Sequence, residues 1–89
     1  MTKSSITISN KLGLHARASA KLTKLAGTFA CDVHLARAGR RINAKSIMGV
    51  MMLAAGLGAE VEIETDGPDE VQAMAALRDL IDSKFGEGQ

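Results

Sequence analysis

The chain has neither tryptophan nor tyrosine, and Phe29 and Phe85 are its only aromatic residues. Its core must therefore be packed from Ala, Leu, Ile, Val and Met, and it lacks the stacking platforms that nucleic-acid-binding modules use. Cys31 stands alone, which excludes an intramolecular disulfide. The longest near-apolar stretch, residues 47 to 57, falls short of the roughly 20 residues that cross a bilayer. No hydrophobic signal-peptide run follows Met1, so a cytoplasmic protein with no membrane insertion is expected.

What is present is a small apolar chain with divided charge. Its 89 residues are 46% hydrophobic, enough for one domain over residues 1–89 that hides roughly two-thirds of its unfolded surface. The net charge of +1 conceals an asymmetry: residues 1–45 hold nine Lys and Arg against Asp32, while residues 46–89 hold two against nine acids. A basic half can steer an acidic protein, gather phosphate or meet nucleic acid, and total charge does not choose among these.

Ser5 to Ser9 alternates polar and apolar residues and predicts a strand, broken by Asn10-Lys11-Leu12-Gly13. Ala18, Leu22, Leu25 and Ala26 then recur at helical spacing, with Arg17, Lys21 and Lys24 on the other side and a stop at Gly27. Cys31, Val33 and Leu35 alternate with polar neighbours, Ala38-Gly39 marks a turn, and Arg41-Ile42-Asn43 returns as a short strand. Ser46 stands where a hydroxyl caps the helix that Ile47 to Leu53 predicts, with Gly56 and Gly58 ending it. Glu60 to Glu64 reads as a strand with one dry and one wet face. After the Asp66-Gly67-Pro68 turn, Val71, Met74, Leu77, Ile81 and Phe85 share one face of a last helix, and residues 86–89 read as a frayed tail. The order is βαββαβα: an α+β two-layer domain, one sheet with helices on one face.

Chemistry concentrates in Gly13-Leu14-His15-Ala16-Arg17. A histidine at the foot of a helix lies where unpaired N–H groups favour an anion, and Arg17 adds a cation and a donor fork. Imidazole can attack with an unprotonated nitrogen near neutral pH, so a reversible phosphohistidine fits this arrangement. The plainer alternative is that His15 merely caps the helix. Ser46 is a cap or a phosphosite, or both. His34 reads as a surface histidine and Cys31 as a small buried hydrophobe, and no His, Cys and carboxylate set has metal-ligand spacing.

The pentad, together with Ser46-Ile47-Met48-Gly49-Val50-Met51, resembles the HPr family of histidine-containing phosphocarriers of the bacterial phosphoenolpyruvate-dependent sugar phosphotransferase system. The likeness spans almost the whole chain. It implies an open-faced β-sandwich whose four-stranded antiparallel sheet runs 1-4-2-3 under three helices. It implies that His15 accepts a phosphoryl group from the phosphoenolpyruvate-linked first enzyme and gives it to a downstream, typically sugar-specific, component, without a cofactor. Ala16 and Arg17 would bind the phosphate, and Ser46 would answer a regulatory serine kinase and phosphorylase. Partner binding falls to Ala20, Lys21, Lys24, Ile47, Met48 and Met51 on a monomer, the methionines adapting to several surfaces. Two departures stand out: Ala18 replaces the family's usual proline, which should loosen the first turn and add a donor, and Ala54 stands where glycine is frequent. A nitrogen-related regulatory paralogue, a small nucleic-acid-binding module and a freestanding hydrolase are the rival readings.

Overall fold

The computed structural model describes residues 1–86. Strands β1 (Thr2–Thr7), β2 (Asp32–Arg37), β3 (Arg40–Asn43) and β4 (Glu60–Asp66) form one sheet in the order β1-β4-β2-β3, and every pairing is antiparallel. Helices α1 (Ala16–Gly27), α2 (Ile47–Met52) and α3 (Glu70–Asp82) complete the βαββαβα order, followed by a short 3-10 turn at Lys84–Gly86. The expected architecture and strand order are therefore present. The tail expected over residues 86–89 lies, from residue 87 on, outside the described residues.

The core is aliphatic, as the composition requires. Val33 and Leu35 from β2 and Val61 and Ile63 from β4 face Ala18, Leu22 and Ala26 of α1 and Leu77 and Ile81 of α3, all buried. Between β2 and β3, Ala38 (φ 52) and Gly39 (φ 83) are both left-handed, the backbone of a type I′ hairpin turn that follows the natural twist of two strands.

Several elements depart from the sequence expectation. The first strand runs Thr2–Thr7 rather than Ser5 to Ser9, because it follows the full antiparallel ladder from Thr2↔Thr65 to Thr7↔Glu60. Helix α2 stops at Met52, and Ala54 at φ 53 turns the chain before either glycine is reached. Val71 is 68% exposed and not on the buried face, since Ala73, Met74, Leu77 and Ile81 carry the packing of α3. Phe85 is buried, but from the 3-10 turn beyond the helix.

The wet face of the sheet is drier than its alternation suggests. Glu64 is 7% exposed and lies within reach of three basic side chains: Arg41, which donates a hydrogen bond to it, Lys3 at 3.6 Å and His34 Nδ1 at 3.9 Å. The Arg41 hydrogen bond leads the effects that hold the Glu64 carboxyl below its ordinary range. His34 is correspondingly a half-buried member of this cluster rather than a plain surface histidine. Among the described residues no helix is long and apolar enough to cross a membrane.

Candidate functional site

His15 occupies the N-cap of α1 with extended backbone (φ −76, ψ −179), and its ring Nδ1 accepts the Arg17 backbone N–H at 3.2 Å. An extended residue at this point lets its own carbonyl take the first helical bond, from Ser19 N–H at 2.8 Å, while the ring folds back over the helix start. Because Nδ1 accepts, the neutral ring carries its proton on Nε2, and the Nδ1 lone pair faces the positive end of the helix.

The loop that delivers His15 is tied down by four hydrogen bonds to Asn10, Ala55 and Ser19. Asn10, fully buried, donates from Nδ2 to the Gly13 carbonyl at 2.8 Å, and the Gly13 N–H returns to the Asn10 carbonyl at 3.2 Å. The Leu14 N–H donates to the Ala55 carbonyl at 2.8 Å, joining the histidine loop to the segment after α2. The buried Ser19 hydroxyl donates to the Leu14 carbonyl at 3.0 Å. Gly13 makes the close approach feasible: its φ is +67, and a Cβ there would lie 2.5 Å from the Ala55 carbonyl oxygen.

Around this loop the expected residues are distributed over two packed helices. Ala16 and Arg17 are exposed at the first turn of α1, with Ala20 and Lys24 exposed further along. Lys21 is not simply a solvated member of the basic stripe, since its ammonium donates to the Phe85 carbonyl at 2.7 Å. Ser46 is the N-cap of α2, its hydroxyl accepting the Gly49 N–H at 3.2 Å. Ala18 is fully buried against the core.

Helix α2 leaves much of its apolar surface uncovered: Met48 is 66% exposed, with Ile47 and Met51 about 40%. Met52 at 58% belongs to the same helix and was not singled out from the sequence. Leu12 and Leu57 are also exposed, on the two loops joined by the Leu14 to Ala55 bond. Asn10 reads from the sequence only as part of a strand break, and Ser19 carries no assigned role there. Ser19 had a readable signal, for it stands three and seven residues before Leu22 and Ala26, on the buried stripe.

The PTS-HPr family, described as the PTS HPr component phosphorylation site, matches residues 2–83. The chain belongs to the HPr family. It is 64% identical to the phosphocarrier protein HPr of Cupriavidus necator over 89 residues, the whole of both chains. The crystal structure of HPr-C-His from Thermoanaerobacter tengcongensis superposes with a TM-score of 0.95 at 44% identity, covering 98% of each chain. An HPr dimer from the same organism has a TM-score of 0.79, also at 44% identity, over 98% of this chain and 100% of that one. A phosphocarrier of the phosphotransferase system is thus the class of protein to which this site belongs.

Proposed function

We propose that His15 carries the phosphoryl group through Nδ1. The lone pair of Nδ1 attacks the phosphorus of the phosphorylated first enzyme, the bond from phosphorus to that donor breaks, and the donor leaves with its electron pair. The Nε2 proton stays in place throughout. In the product, the phosphoryl oxygens lie against the first amides of α1, at Ala16 and Arg17, with the Arg17 guanidinium on hand, so charge is met by donors already oriented. Return to a downstream acceptor, sugar-specific or regulatory, is the same displacement reversed. No cofactor enters. The observation that carries this reading is the Nδ1 of His15 turned toward the Arg17 N–H at the helix start.

Incubation with the first enzyme and phosphoenolpyruvate should add one acid-labile phosphate by intact mass, and His15→Ala should abolish it while thermal unfolding stays cooperative. An unmodified mass with active enzyme present would sink the reading.

The exposed Ile47, Met48 and Met51 serve as the docking surface, with Ala20, Lys21 and Lys24 beside them on α1. Ser46 is then a regulatory phosphosite, because a dianion placed there adjoins apolar groups that a partner must desolvate. The helix itself tolerates the charge at its N-terminus. Ser46→Asp should slow His15 phosphorylation severalfold at unchanged thermal stability; an unchanged rate would reduce Ser46 to a cap. The chain acts as one domain and as a monomer, which light scattering of the unmodified protein checks.

A further inference from the structure

Two arginines meet where the β2–β3 hairpin passes the end of α2. Arg37 and Arg40 are direct cross-strand partners flanking the Ala38-Gly39 turn. Like charges placed opposite each other in a ladder oppose pairing, and here they converge further. Arg37 Nη1 donates to the Leu53 carbonyl at 3.0 Å, and Arg40 Nη1 donates to the Met52 carbonyl at 2.6 Å. Those bonds pin both guanidinium groups by one nitrogen each on the last turn of α2, leaving Nη2 and Nε of each fork to other acceptors.

The two forks help line a half-open cavity of about 270 Å³, together with Ala38, Met52, Leu53 and Ala54. No carboxylate lines it, and among the described residues neither arginine forms an ion pair. Glu60 and Glu62 share a separate depression with Arg37 without pairing to it. Arg41, one residue on, is already engaged by Glu64. Ala38 and Ala54 both line the cavity in left-handed conformations, at φ 52 and 53, where an L side chain is strained.

Two forks, each held by one nitrogen on the carbonyl end of α2 and neither paired with a carboxylate, keep their remaining donors beside an open cavity and are arranged to receive an oxyanion. We propose that this cavity is a second anion site, separate from His15, that takes the phosphate group of a small phosphomonoester. Planar guanidinium forks recognise phosphate bidentately, which a lysine ammonium cannot do. The apolar wall of Met52 and Leu53 leaves room for an uncharged organic portion next to the anion.

The test is residue-resolved amide chemical-shift titration of the full chain at constant ionic strength, with inorganic phosphate, glycerol 3-phosphate and acetate as probes. The two phosphates should give saturable shifts at residues 37–40 and 52–54, and acetate much weaker ones. Arg40→Lys, which keeps the charge and loses the fork, should weaken binding about tenfold. Arg37→Gln with Arg40→Gln should abolish it, with unperturbed amides elsewhere showing that the fold persists. Shifts confined to residues 15–19, equal binding in the lysine variant, or acetate matching phosphate would each overturn the assignment. If the double variant unfolds, the wild-type titration and the lysine variant still decide it.

Discussion

Ser19 is the residue whose side chain does most for its size. Its hydroxyl holds the Leu14 carbonyl, and Leu14 is the residue just before His15. Removing it leaves a buried carbonyl one partner short, a loss worth about 1 to 2 kcal/mol in denaturant unfolding. A loosened His15 ring should also transfer phosphoryl more slowly, since modest misplacement of a reacting atom is costly. Ser19→Ala should therefore lower both the urea midpoint and the rate of His15 phosphorylation, and Ser19→Thr should restore the rate in part. An unaltered rate in Ser19→Ala, measured with the first enzyme in excess, would show that Asn10 and Ala55 hold the loop without it. Around Ala18 the helix runs unbroken from Ala16 to Gly27.

Among the elements, α2 is the most conspicuous, with six residues, a serine cap and few buried side chains. Its exit through Ala54 at φ 53 asks an alanine to do what glycine does without strain. Ala54→Gly should gain about 1 kcal/mol in spite of the greater freedom it gives the unfolded chain. Thermal unfolding checks it, and a loss of stability would mean that the Ala54 methyl is worth more in its packing than its strain costs.

Elements of this size also show what was legible beforehand. The pentad, the Ser46 cap and the alternation of Glu60 to Glu64 carry local signals, and all three are found where periodicity and capping place them. Less legible was whatever depends on a distant neighbour. Glu64 is buried because Lys3, His34 and Arg41 converge on it from three other strands, and Lys21 is engaged because Phe85 lies beneath it. Val71 is exposed because Ala73, Met74, Leu77 and Ile81 set the buried face of α3 to one side of it.

For the whole molecule, acid is the informative perturbation. Thr2 donates to Glu70 at 2.6 Å, the Gly67 N–H donates at 3.2 Å, and the Met1 ammonium lies 3.0 Å away. The Thr2 hydrogen bond leads in holding the Glu70 carboxyl down at about 2, against an ordinary 4.5. The backbone N–H groups of Ala30 and Cys31 hold Asp69 down in the same way. Folded-state values below unfolded ones mean stability that is present above about pH 4.5 and lost as pH falls toward 2. The thermal midpoint should drop through that window, and Glu70→Gln should lower it near neutrality while flattening the acid slope. A parallel acid profile in the variant would remove Glu70 from the account.

The pairing of β1 with β4 also bears on the order in which the protein can come into being. A ribosome that has delivered the whole pentad has not yet delivered Ala55, which anchors Leu14, or Ala59, whose carbonyl takes the Ile8 N–H. The ladder that seats β1 waits for residues 60 to 65. Until then the histidine is part of a tethered, basic and unfinished chain, and its loop has its full set of anchors only once residues 60 to 65 have left the exit tunnel.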